Sequence, residues 1–155
     1  MSIDPKAFRD ALGRFLSGIT IVMIEDDEGQ RGMTASAFLS VSMDPPLVLV
    51  AVSKKAHLHP RITDRYTVSL LAADQDFVSN HFAGRPDPLP EGTITRNAAG
   101  NPVIAGALGW IDCSVHDRVD AGDHTLFIGR VEALETFDGE PLAYFRGRYR
   151  SLVSI

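Results

Sequence analysis

The chain of 155 residues is 45% hydrophobic and 23% charged, a composition that lets a domain of this size bury roughly 68–70% of its unfolded surface. Its formal charge of −5 opposes bulk nucleic-acid binding, which needs many Lys and Arg against phosphate, and no apolar run nears the ~20 residues of a membrane-spanning helix. The first five residues lack the basic start and apolar stretch of a signal peptide, and the lone Cys113 has no partner for an internal disulfide. A single cytoplasmic domain over residues 1–155, without membrane or nucleic-acid partners, is therefore expected.

The spacing predicts an opening helix. Asp4 suits its N-cap, Pro5 its first turn and Gly18 its end, while Phe8, Ala11, Leu12 and Phe15 fall on one face that should cover a core. Residues 19–25 are rich in β-branched side chains and read as a strand, and the polar turn at 26–30 returns the chain into a partner strand over 31–43. Within that partner, Gly32, Ala35, Ser36 and Ala37 are too small for a core and leave main-chain N–H groups uncovered, so a flat polar ligand could approach the backbone. Residues 47–52, bounded by Pro45-Pro46 and Ser53, form a continuous apolar run that reads as a buried strand. A short helix or turn is expected at 57–64, a strand at 66–71, and a second helix at 74–82 with Phe77, Val78 and Phe82 as its apolar positions.

Residues 84–106 carry so many Gly and Pro that they read as a long loop, either functional or an oligomer contact, and the apolar segment 103–108 is expected to be hidden in a twofold dimer. Two strands follow at 108–119 and 125–137, joined by 120–124, and a turn at 138–140 leads into a last strand near 142–145. Many short strands with few helices make the chain mostly β and favour a closed or partly closed antiparallel barrel.

Three constellations could carry chemistry. Thr34-Ala35-Ser36-Ala37 is either a strand with two exposed hydroxyls or the edge of a ligand site. The island Lys54-Lys55-Ala56-His57-Leu58-His59-Pro60-Arg61 is either a solvated turn or a seat for phosphate. Its His-x-His pair lacks a third ligand at metal-binding spacing, so no metal is expected. Gly122-Asp123-His124 places a histidine between two strands, either as a rim residue or as a donor of a hydrogen bond or proton. Cys113 has no base beside it and reads as structural. No G-x-G-x-x-G, P-loop or G-x-S-x-G occurs, which excludes a Rossmann nicotinamide site.

Taken together, Gly32-Met33-Thr34-Ala35-Ser36-Ala37-Phe38, Ser40-Val41-Ser42-Met43-Asp44-Pro45-Pro46-Leu47-Val48, Gly122-Asp123-His124 and Tyr144-Phe145-Arg146-Gly147-Arg148-Tyr149-Arg150 resemble the short-chain flavin reductases. These are the NAD(P)H:flavin oxidoreductase components of two-component flavin-dependent monooxygenases, and the likeness runs in order along nearly the whole chain. The resemblance implies a Greek-key split β-barrel of the FMN-binding type with a few short flanking helices, and a homodimer with a flavin site near each subunit contact. It also implies reduction of free or loosely bound FMN or FAD by NADH or NADPH, the reduced flavin diffusing to a separate monooxygenase.

Carried onto this sequence, Thr34, Ala35, Ser36 and Ala37 would meet the isoalloxazine edge, and Val50, Ala51, Val52 and Ser53 would flank the ring and ribityl chain. Lys54, Lys55 and His57 would approach the phosphate, and Phe82 and Ala83 would close the far side. Tyr149 and His124 would border the nicotinamide, with His124 the catalytic candidate. Two departures bear on this. Ala37 stands where members often carry a second serine, and Ala56-His57-Leu58 replaces small hydroxylated residues, which leaves the choice between FMN and FAD open. A flavin-binding split barrel without turnover is the alternative reading.

Overall fold

In the computed structural model, which describes residues 2–85 and 87–155, Asp4 caps α1 (Pro5–Leu12) by accepting from the main-chain N–H groups of Lys6 (3.4 Å) and Ala7 (3.2 Å). A two-residue strand, β1 (Ser17–Gly18), leads into the β-branched stretch, which forms β2 (Thr20–Asp26) and returns as β3 (Gly29–Ala35). Next come β4 (Phe38–Met43), β5 (Pro46–Ser53), a 3₁₀ turn at His59–Arg61, β6 (Arg65–Leu70) and α2 (Asp76–Phe82). A small hairpin of β7 (Ile94–Arg96) and β8 (Pro102–Ile104) precedes the two long strands β9 (Gly109–Ala121) and β10 (His124–Thr136). The chain closes with β11 (Ala143–Phe145) and β12 (Arg148–Arg150).

Seven strands make one antiparallel sheet in the order β3-β2-β6-β9-β10-β5-β4. The edge strands β3 and β4 are consecutive in the chain, separated only by Ser36 and Ala37. A sheet whose two edges are chain neighbours must curl toward closure, and with no β3–β4 pairing among the described residues it stays open as a split barrel flanked by two helices. Its interior holds Val22, Ile24, Val48, Val50, Val52, Tyr66, Val68, Cys113 and Phe127. Gly129 is required here, because a Cβ at that position would meet the Tyr66 hydroxyl and sit 2.8 Å from Cys113 Cβ. The Tyr66 hydroxyl donates to the Phe127 carbonyl at 3.0 Å, so its one buried polar atom is satisfied. A second core of Ile19, Ile21, Met23, Leu71, Val78, Ile104, Ala107 and Leu142 lies under α2. Among the described residues no helix is long and apolar enough to cross a membrane.

Four expectations are corrected, and one strand was not foreseen. The strand over 31–43 is two strands, because the chain turns at Ser36-Ala37, where Phe38 N donates to Ser36 O and Ala51 N to Ala37 O. Residues 47–52 are buried on one face only: Val48, Val50 and Val52 point inward, while Leu49 and Ala51 line an outer apolar groove. The segment 84–106 contains the β7–β8 hairpin, and the apolar residues Val103, Ile104 and Ala107 are buried in the chain's own core, so they are not left for a second copy to cover. The hairpin partner β12 is a strand that its charged residues did not announce. Finally, α1 is capped as expected but ends at Gly13, and buries nothing against its own chain; Phe15 just beyond it is 83% exposed.

Candidate functional site

The corner at residues 34–37 is held from both sides. Thr20 Oγ1 donates to the Ala35 carbonyl at 2.7 Å, and Thr34 Oγ1 donates to the Ser79 carbonyl at 2.6 Å, which docks β3 on α2. The Phe82 ring lies directly over Gly32, where a Cβ would stand 2.8 Å from a ring carbon. Only glycine admits that contact. The Tyr149 hydroxyl stands 2.8 Å from Ser79 Oγ and 2.9 Å from Asn80 Oδ1, and so fixes the β11–β12 hairpin against the same helix.

These contacts frame a trough of two lobes that share Thr34 and Ala83. One lobe, of about 610 Å³, runs past Arg31, Gly32, His57 and Phe82. The other, of about 490 Å³, is walled by Ser36, Ser79, Asn80, Arg85, Arg148 and Tyr149. Each volume falls in the range of small-molecule sites. No aspartate or glutamate lines either lobe, whereas Arg31, Arg85 and Arg148 do, so the wall of this acidic protein is locally positive. On the far side of the corner, sharing Ser36, lies the apolar groove of about 710 Å³, lined among others by Phe15, Phe38, Leu39, Leu49, Ala51 and Leu126.

The trough thus brings together Thr34, Ser36, His57, Phe82, Ala83 and Tyr149, and Ala35 and Ala37 flank it on the same corner. Ala51 faces the apolar groove, and the side chains of Val50 and Val52 are wholly interior. Ser53, Lys54, Lys55 and His124 gather elsewhere, at the end of β5 and β10, where His124 pairs in register with Ser53. There Lys54 N donates to Asp123 O at 2.9 Å, and Lys54 Nζ stands 3.4 Å from Asp120 Oδ1. His124 Nδ1 stands 2.7 Å from Asp123 Oδ1, and this hydrogen bond holds the Asp123 carboxyl below the ordinary carboxylate range. His124 and Tyr149 therefore belong to separate regions of one chain, since His124 lines neither lobe.

Sequence reasoning passed over Ser79, Asn80, Arg85 and Arg148. The signal for the first two was present, as adjacent polar residues between the apolar helical positions Val78 and Phe82. Among the described residues no group of three or more His, Cys, Asp or Glu could hold a metal. Cys113 is buried, and burial together with the neighbouring Asp112 pushes its thiol up to about 12, which makes it inert as a nucleophile. A small-residue corner opening on a trough with cationic and no anionic walls fits a planar, anionic nucleotide such as a flavin.

Comparison with known proteins agrees with this chemistry. The flavin reductase like domain family matches residues 12–153. The chain is 47% identical over 156 residues to an NADH-dependent flavin reductase of a Rhodococcus species, covering 97% of this chain and 88% of that one. It is 44% identical over 151 residues to the reductase component of a 4-hydroxyphenylacetate 3-monooxygenase from Thermus thermophilus, covering 96% and 97% of the two chains. Among solved structures, the flavin reductase PheA2 superposes with a TM-score of 0.93 at 40% identity, over 98% of this chain and 100% of that one. The NADH:FAD oxidoreductase SgcE6 of Streptomyces globisporus, in complex with NAD and FAD fragments, gives a TM-score of 0.89 at 35% identity, over 99% and 97%.

Proposed function

Because the chain belongs to the flavin reductase like domain family, we propose that residues 1–155 form one reductase domain that uses NADH to reduce FMN or FAD for a separate monooxygenase. The observation that carries this reading is the trough itself, a cationic, carboxylate-free cleft that ends at the small-residue corner Thr34–Ala37. A bound flavin supplies the hydride-accepting ring. The chain supplies position: the corner presents main chain to the ring edge, Phe82 and Ala83 close one side, and the Tyr149 hydroxyl holds the hairpin that walls the other.

In this reading Lys54, Lys55 and His57 take the flavin phosphate, and His124 orients the nicotinamide, with its Nδ1 bound to Asp123 and its Nε2 left for a ligand. The main chain of residues 50–53 runs beside the ribityl chain. We place the protein in the cytoplasm on its single, buried and unpaired cysteine. The unpartnered apolar face around α1 and the apolar groove support a homodimer built through that side of the corner.

Anaerobic stopped-flow mixing of the flavin-loaded protein with NADH tests the reading. Full bleaching of the oxidised-flavin absorbance in a single turnover is expected. Saturable flavin binding without bleaching would instead favour a flavin carrier on the same barrel.

A further inference from the structure

A reductase acts on two anionic nucleotides, and beside Arg31 in the first lobe this chain carries two further groups of cations around the site. One is Lys54-Lys55 at the end of β5, outside the trough, where Lys54 is already shared with Asp120. The other is Arg85 and Arg148, which wall the same lobe as Ser79, Asn80 and Tyr149. Arg14, Arg61, Arg65 and Arg96 are each paired with a carboxylate; of the arginines that are not, Arg85 and Arg148 line one lobe together. Among the described residues neither Arg85 nor Arg148 has such a pair, and no Asp or Glu lines their lobe. Two guanidinium groups left without counterions in a protein of charge −5 are a standing site for an anion.

Their supports are fixed as well. The helix carrying Asn80 and the strand carrying Arg148 are joined through the Tyr149 hydroxyl, and Arg85 N donates to the Asn80 carbonyl at 3.1 Å. The two cations are therefore attached to a frame that cannot easily spread. Guanidinium groups match the planar, bidentate geometry of phosphate oxygens better than ammonium groups do.

Resting on the reductase reading, we infer that Arg85 and Arg148 form the diphosphate seat of the nicotinamide dinucleotide, distinct from the lysine island that serves the flavin. The lobe then discriminates hydride donors by their diphosphate. Arg148 is a binding residue for that group and takes no part in moving the hydride.

The test compares NADH with 1-benzyl-1,4-dihydronicotinamide, a donor that has the reacting ring and no phosphate, in wild type, Arg85→Ala, Arg148→Ala and Arg148→Lys. The ratio of kcat/KM for NADH over the truncated donor should fall roughly 10- to 100-fold in each alanine variant, the loss expected for one charge-assisted contact, and partly recover in Arg148→Lys. Independently of turnover, calorimetry with ADP-ribose on the protein should show a similar loss of affinity, larger than any loss of FMN affinity in the same variants. Equal losses for both donors would assign the arginines a structural role and overturn the inference. Weakened FMN with unchanged ADP-ribose would overturn it by exchanging the two seats. If wild type oxidised neither donor, the reductase reading would fail by itself, and the ADP-ribose titration would still decide the anion seat.

Discussion

His124 and Cys113 are both single side chains with a possible chemistry, and their surroundings send them in opposite directions. His124 is partly exposed, and its bond to Asp123 fixes the ring while leaving Nε2 free. An orienting hydrogen bond of this kind acts on the second substrate only. His124→Ala should therefore leave flavin affinity within about twofold and lower the rate of flavin reduction, or raise the NADH KM, about 10-fold or more. Stopped-flow reduction at several NADH concentrations measures both, and wild-type behaviour would return the residue to a rim position. Cys113 is sealed in the barrel beside Tyr66. Its thiol, raised from 9.0 to about 12, keeps its proton in the folded state after the unfolded chain has lost it. The folded state then binds more protons across that window, so stability is intact below pH 9 and falls as pH rises toward 12, by up to ~1.4 kcal/mol per pH unit for one group. Tyr66, also pushed up by burial, acts in the same direction. Urea midpoints between pH 9 and 11 should fall less steeply in Cys113→Ala than in wild type, and Cys113 should react with thiol reagents only on unfolding.

At the scale of elements, the β7–β8 excursion shows why part of the fold was hidden from the sequence. Its strands are three residues each, too short to show a period, and they are pinned by β9 rather than by their own composition. The anchor is Asp112, which is 1% exposed and accepts from Arg65 Nη2 at 3.3 Å, from Asn97 Nδ2 at 3.3 Å and from Asn101 Nδ2. Thr67 Oγ1 donating to Pro102 O at 2.7 Å and Gln75 Nε2 to Ala105 O at 2.8 Å complete the tie. Removing the carboxylate strands the buried Asn97 amide and the half-buried Asn101 amide as well as Arg65, so Asp112→Ala should cost ~2–4 kcal/mol in urea unfolding. Limited proteolysis within 84–106 should then precede global unfolding, and simultaneous loss of both would show that the excursion is not a separately anchored unit. Long strands such as β9 and β10 were legible because their period and turn chemistry are local. The break at Ser36-Ala37 was not, since it depends on β5 reaching across to Ala37 from fourteen residues away.

For the whole molecule, the sequence showed how much apolar surface needs cover without showing which chain covers it. The helical spacing of Phe8, Ala11, Leu12 and Phe15 pointed to a face covering a core, but Phe8 and Leu12 are exposed, and Phe15, beyond the helix, lines a groove that includes Leu39, Leu49 and Leu126. The segment 103–108, equally apolar, turned inward instead, because Ile104 and Ala107 close the core under α2. A patch built from Phe15 and Leu16, the outer face of β5 and the edge strand β4 is too broad for a monomer to leave wet. In a twofold dimer each side chain in the contact occurs twice, so one substitution is felt twice. Leu39, about half exposed and in the middle of this surface, can carry a charge in the monomer at little cost. In a dimer built through this groove the same Leu39→Glu buries two unpaired carboxylates. Wild type should sediment as a dimer at micromolar concentration, and Leu39→Glu should raise the dimer dissociation constant at least ~100-fold while keeping the wild-type circular dichroism spectrum. Since Ser36 belongs both to this groove and to the trough, the dissociated variant should also bind flavin more weakly. A wild-type monomer at that concentration, or a variant that dimerises and binds flavin as wild type does, would show that this surface serves something other than a second copy of the chain.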